Sequence, residues 1–189
     1  MPPRPLSAPC KQRRAKHDSG PRRASQIRHI VIHSTEGGTA ASVAAFFATT
    51  AEASTQLVVD DRECYRCVPD LVIPWGAKGA NTSGLHIETC GFARWSLQEW
   101  MRHRATLDRS AYKAAVWCFT FGIPVRRLTN AELRAGTRKG FVSHAQCFQE
   151  FGGSVRTDPG AGYPWDFYLG RVRFHLREIR ATAKARAES

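Results

Sequence analysis

The residues best suited to chemistry are a few histidines and acids spread along the chain. His33 closes the apolar run "HIVIHST", Glu88 lies in "GLHIE", His144 in "GFVSHAQC", and Asp158 stands directly before Pro159 in "RTDPGAGYPWDF". Imidazole and carboxylate groups are the donors that catalytic zinc uses, three from the protein with a fourth position left for water. Residues 152 to 167 hold four glycines and two prolines, which exclude a regular helix or strand and leave Asp158 in a stiff loop closed by Tyr163 and Trp165. The candidates lie far apart, so spacing alone does not assemble them. Taken singly, a strand-end histidine is more often a hydrogen-bonded structural residue, and a strand acid more often faces solvent.

Two shorter patterns compete for a metal, and both fall short. "CYRC", 64 to 67, is a C-x-x-C, but no second C-x-x-C or H-x-H follows to complete a closed structural zinc site. "HIE", 86 to 88, has the H-x-E of zinc nucleobase deaminases, in which a P-C-x-x-C comes afterwards; here the C-x-x-C comes before.

The elements that must position these residues are legible from periodicity. "QIRHIVIHSTEGG" reads as a buried strand entering a Gly-rich loop, with His33 at the strand's C-terminal end and His29 packed in the sheet. "TAASVAAFFATT", 39 to 50, suits a helix on a sheet, with Val43, Phe46 and Phe47 on one face. "STQLVVDDRECYRCVPD" reads as a hairpin about an Asp-Asp-Arg turn. The strand "GLHIETC", 84 to 90, places His86 and Glu88 on one face and Leu85, Ile87 and Thr89 on the other.

"SLQEWMRHRATL" opens with Ser96 and Glu99 at capping-box spacing, and "SAYKAAVWCFTFG" predicts a helix from Ser110 to a stop at Gly122. "TNAELRAG" and "HAQCFQEFGG" are short helices ended by glycine. Leu169, Val172, Leu176 and Ile179 recur at helical spacing, which predicts an amphipathic C-terminal helix with an Arg-rich outer face that also carries His175. The inventory is α/β: a central mixed β-sheet flanked by helices, in a single domain over residues 26–189. Residues 1–25, with five prolines and seven Lys or Arg against the single acid Asp18, read as a basic disordered leader or linker.

A chain of 189 residues that is 42% hydrophobic suits one domain with a real core. With 28 Lys and Arg against 16 Asp and Glu the net charge is +12, which favours polyanionic partners. The six cysteines read as mostly reduced core residues, several of them in apolar stretches such as "AVWCFTF". No apolar run is long enough to span a membrane, and the first residues lack the apolar stretch of a secretory signal, so synthesis in the cytoplasm is expected.

Taken in order, "HIVIHST", "GLHIE", "GFVSHAQC" and "RTDPGAGYPWDF" resemble the zinc-dependent N-acetylmuramoyl-L-alanine amidases of the type 2 family, related to peptidoglycan recognition proteins and phage lysozyme-type amidases. More narrowly, the chain resembles the amidase domain of endolysins from phages that infect mycobacteria. The resemblance covers roughly residues 27 to 170 and implies a mixed sheet with zinc at one edge. It makes His33, His144 and Asp158 the zinc ligands. Glu88 falls on the acid of the family's "G-I-E" strand, and Arg156 falls where many members have a Lys two residues before the last ligand. The implied chemistry is hydrolysis of the amide between N-acetylmuramic acid and L-alanine. Zinc-activated water attacks, Glu88 transfers the proton, and Arg156, fixed by the loop, stabilises the oxyanion.

Trp75 and His86 are expected to line the substrate groove. The chain departs from the pattern at Thr55 and Gln56, where many relatives have an aromatic-His pair, and at Gly76 in "WGA", where they have "W-H-A". His86 itself stands where a Gly is usual, and Thr55 cannot inherit an aromatic hydroxyl's role. The expected partner is bacterial peptidoglycan, with acidic wall polymers as further contacts for the basic charge, and the expected state is a monomer with no specific nucleic-acid ligand. A non-catalytic wall-binding module of the same fold is the alternative, and a basic nucleic-acid-binding protein a weaker one; the presence of three candidate ligands and Glu88 favours catalysis.

Overall fold

The computed structural model describes residues 5–188. Six strands form one sheet: β1 (Lys11–Gln12), β2 (His29–Ser34), β3 (Leu57–Val59), β4 (Cys64–Arg66), β5 (Gly84–Thr89) and β6 (Gly140–Ser143). Their order across the sheet is β1-β4-β3-β5-β2-β6. β2 runs parallel to both β5 and β6, β3 is parallel to β5, and β3 and β4 form the expected antiparallel hairpin. The Asp60 carboxylate closes the hairpin turn by accepting from the amides of Arg62 and Glu63 at 2.8 Å.

β2 is buried at every position, which is why its centre, Ile30–Val31–Ile32, is an unbroken apolar run. Ile30 and Ile32 point to one face with Leu85, Ile87 and Phe141, under α3 (Arg104–Phe121) and α6 (Trp165–Ala187). On the other face α1 (Ala40–Thr49) covers Val58 through Ala44 and Phe47. There too α4 (Asn130–Ala135) and α5 (His144–Phe151) cover Val31 and Val142 through Leu133 and Cys147. Each such side chain contributes about 1.5–3 kcal/mol when fully buried.

The predicted caps are present: Ser96 and Glu99 form a capping box at the start of α2 (Leu97–Arg102), and Gly122, at φ 61°, stops α3. Helix α3 begins earlier than Ser110, because Thr106 and Leu107 are buried and extend its apolar face upstream, and the chain bends at His103 to separate it from α2. In α1 Phe47 packs inward while Phe46 stays exposed. His175 lies on the inner face of α6, where its Nε2 contacts Asp108 Oδ1 at 2.8 Å, not on the Arg-rich outer face.

The N-terminal segment differs most from expectation. Residues 1–4 of it lie outside the described residues, but from residue 5 onward it is laid along the domain. β1 adds a parallel edge strand beside β4, and Cys10 forms a disulfide with Cys64, leaving Cys67, Cys90, Cys118 and Cys147 as buried free thiols. Arg22 is buried, and its guanidinium donates to the carbonyls of Asp70, Asn81, Thr82 and Gly84. Prolines that suggest disorder also lower the entropy an extended segment loses on docking, and here a sheet edge and the four carbonyls that accept from Arg22 receive it.

Candidate metal centre and its cleft

Parallel strands place their carboxyl ends on the same edge, and ligand sites in such sheets lie beyond those ends. His33 and Glu88 are register partners near the ends of β2 and β5. β6 ends at Ser143, which caps α5 by accepting from the Gln146 amide, so His144 emerges as the first residue of that helix at the same edge. The Asp158 loop is tied to the start of that helix, where the Ala145 amide donates to the Asp158 carbonyl at 3.0 Å.

The loop is held by close backbone approach. Gly160 has φ 93°, and a Cβ there would stand 1.8 Å from the Ala93 carbonyl oxygen. Tyr163 is buried just beyond, packed edge-on against Trp100. Asp158 is thereby fixed from its C-terminal side. Residues 152 to 157, by contrast, are exposed, and Arg156 donates to the neighbouring Val155 carbonyl, so the loop does not fix that side chain as expected.

Three donor atoms converge. His33 Nδ1 lies 3.0 Å from His144 Nδ1 and 3.4 Å from Asp158 Oδ2, and His144 Nδ1 lies 3.2 Å from the same oxygen. Ligand atoms about 2.0–2.1 Å from a tetrahedral zinc stand roughly 3.3 Å apart, so this triangle matches the chemistry and spacing of a His-His-Asp metal site. Glu88 Oε1 is 3.9 Å from His33 Nδ1, outside the triangle, and its Oε2 is buried without a hydrogen-bond partner.

The electrostatics follow from burial. Burial pushes the His33 imidazole down to about 4, with His144 adding to the effect. For Asp158, burial acts upward, but contacts with His144 and His33 more than reverse it and hold the carboxyl well below its ordinary range. Glu88 is driven well above the ordinary range by burial first and then by the charges of Asp158 and Glu36. A lone pair on a neutral ring, a firmly ionised carboxylate and a carboxyl short of positive charge together suit a bound dication.

These groups floor a cleft of about 300 Å³ whose walls include Thr55, Trp75, Gly76 and Arg156. A model of the N-acetylmuramoyl-L-alanine amidase family matches residues 23–161. The chain belongs to this amidase family. No curated protein sequence matches it. Among solved structures it is similar to the Staphylococcus aureus hydrolase AmiA in complex with its ligand, at 16% identity and a TM-score of 0.68 over 91% of this chain and 85% of that one. It is also similar to a mutant endolysin from Bacillus subtilis, at 16% identity and 0.60 over 87% and 99%. The amidase LysC from Clostridium intestinale aligns at 12% identity and 0.56 over 88% and 99%. At these identities the structures speak for the amidase fold alone.

Within that fold the sequence-predicted residues separate. His33, His144, Asp158 and Glu88 come together, and Trp75 and Arg156 stand on the cleft wall. His86 does not line the cleft: it is fully buried behind His33, because it shares the inward face of β5 one pleat before the strand end. Burial holds its imidazole well below the ordinary range. Thr55 donates its hydroxyl to the Leu57 carbonyl, and Gln56 accepts from the His86 amide at 2.7 Å. His17 and Ser19 were not singled out by the sequence. His17 stacks on Trp75 at 4.8 Å and the Trp75 Nε1 donates to Ser19 Oγ at 2.8 Å, so the N-terminal segment braces the cleft wall. No pattern in "KHDSG" announces this, because the contact is made across the sheet edge.

Proposed function

We propose that the protein hydrolyses the amide bond between N-acetylmuramic acid and the L-alanine of the stem peptide in bacterial peptidoglycan, as a zinc-dependent amidase. The observation that carries the reading is the triangle of His33 Nδ1, His144 Nδ1 and Asp158 Oδ2 at the floor of the cleft, with the unpartnered Glu88 oxygen beside it. His33, His144 and Asp158 would hold a zinc ion, which would supply a water that ionises near neutral pH and a Lewis acid for the scissile carbonyl. Glu88 accepts the proton of the attacking water and returns it to the leaving amine of L-alanine. Burial, with the charges of Asp158 and Glu36, makes this carboxyl hold a proton more tightly than a free glutamate does. Arg156 swings from the cleft mouth toward the carbonyl, where its permanent charge offsets the developing oxyanion but transfers no proton. Trp75 lies against the sugar or the stem peptide.

The net charge of +12, part of it on the exposed Arg173, Arg177 and Arg180 of α6, supports further contact with acidic wall polymers. Among the described residues no helix is long and apolar enough to cross a membrane. We read the biological role as that of a phage endolysin, made in the host cytoplasm and acting on the wall after the membrane is opened. The test is digestion of purified peptidoglycan by the wild type and by His33→Ala, with products identified by mass. Stem peptides beginning with a free L-alanine, absent with the variant, are expected. Disaccharide cleavage alone, or no product from zinc-loaded wild type, overturns the proposal.

A further inference from the structure

The geometry points to His86 as the positioning residue of the metal centre: it accepts the Nε2–H of His33 and so fixes which nitrogen of that ligand faces the metal. The inference rests on the metal reading above and concerns residues that touch no substrate.

His33 has two ring nitrogens, and a neutral imidazole carries a proton on one of them. Its Nδ1 points into the donor triangle, while its Nε2 lies 3.0 Å from His86 Nδ1. A proton on Nε2 donates to His86 and leaves the Nδ1 lone pair free for a metal. The other tautomer turns Nδ1 into a donor and removes it as a ligand. For His86 to accept at Nδ1, its own proton must sit on Nε2. That atom makes no well-formed hydrogen bond, but the Ala80 carbonyl stands close enough to favour the N–H form there. With that proton on Nε2, His86 Nδ1 is free to accept from His33, whose own Nδ1 then faces the site unprotonated.

The ring of His86 is seated with little freedom. It is fully buried, its backbone amide is held by Gln56 Oε1, and two glycines leave room for it. A Cβ at Gly76 would come within 2.5 Å of His86 Nδ1, and one at Gly84 within 2.6 Å of His86 Nε2. Both polar atoms of the ring are thus accommodated by absent side chains. A histidine ligand whose remote N–H is fixed by an acceptor is oriented and made more basic, and loss of such an acceptor typically lowers metal affinity about 10- to 100-fold.

The test compares His86→Leu with His86→Asn. The two side chains have nearly the same shape, but Asn keeps an acceptor oxygen where His86 has Nδ1. Zinc affinity of purified protein is measured by competition with a chromophoric chelator. Expected is a loss of about 10- to 100-fold for His86→Leu and recovery to within about threefold of the wild type for His86→Asn. Gly76→Ala leaves His86 in place but pushes its ring off His33, and it lowers zinc affinity as well; it carries the test if His86→Leu does not fold. Zinc binding by the wild type that is unchanged in the folded variants overturns the inference alone. No zinc binding by the wild type overturns the metal reading beneath it.

Discussion

Replacing Glu88 by Gln separates catalysis from architecture. The substitution keeps the size and one carbonyl oxygen of the side chain but removes its ability to take a proton. Glu88 is not within the donor triangle, its nearer oxygen standing 3.9 Å from His33 Nδ1, so zinc affinity is expected to stay within a few-fold of the wild type. Turnover should fall by the contribution of a positioned general base, about 10²- to 10⁴-fold. That is roughly 3–5 kcal/mol of barrier at about 1.4 kcal/mol per decade.

Stability of the metal-free protein should move the other way. The folded state holds the Glu88 proton more tightly than the unfolded chain, because burial and the charges of Asp158 and Glu36 raise it. With more protons bound in the folded state, stability falls as pH rises from about 4.5 toward the raised value. Glu88→Gln abolishes this loss, so chelator-treated variant should melt at or above the temperature of chelator-treated wild type at pH 7. The assays are release of L-alanine-terminated stem peptides, chelator competition and thermal unfolding on the same preparations. Turnover within tenfold of the wild type refutes the proton-transfer role, and a variant that melts lower refutes the claim that the buried carboxylate is strained.

Three further outcomes follow from the geometry. A buried imidazole pushed from 6.5 to about 4 contributes stability that is complete above pH 6.5 and is lost as pH falls toward 4; for His33 the loss is about 3 kcal/mol in the metal-free protein, and His29 behaves alike. Melting temperature followed from pH 7 to 4 should drop accordingly, with a shallower drop in His29→Gln; a flat profile contradicts the burial argument. Cys10→Ser opens a covalent loop of sequence separation 54 and should cost up to about 4 kcal/mol, read as a lower melting temperature that reductant no longer changes; equal melting of variant and wild type refutes the tether. Gly160→Ala would place a methyl 1.8 Å from the Ala93 carbonyl, so it should displace Asp158 and weaken both zinc binding and stability, and unchanged chelator competition would refute the close packing.

Much of the sheet was legible because its strands obey simple rules. In "HIVIHS" the apolar run Ile30–Val31–Ile32 is unbroken since β2 is covered on both faces, and the alternation in "GLHIET" correctly separated His86 and Glu88 from Leu85 and Ile87. The gathering of His33, His144 and Asp158 was not legible from spacing, since it depends on strand order, and the resemblance to known amidases supplied it. The N-terminal segment was misread because composition reports what a segment is free to do. Whether a sheet edge, a thiol at Cys64 and four carbonyls are waiting for it is a property of the rest of the fold. His86 was placed in the cleft for a related reason: alternation gives the face of a strand but not the depth along it.

The departures from the family pattern take on meaning together. Gln56, Gly76 and His86 are distant in sequence, yet Gln56 holds the His86 amide and Gly76 vacates the space beside the His86 ring. A histidine introduced at 86 alone would meet any side chain at 76, and a glycine at 76 alone would leave a void against β5. The three therefore act as one unit on a single contact, so the losses from replacing them should be less than additive. Gly76→Ala and His86→Gly each remove the same contact with His33, so the double variant should bind zinc about as weakly as His86→Gly alone. Additive losses in that double variant would mean that the coincidence of the three positions is structural filling and not a device for holding His33.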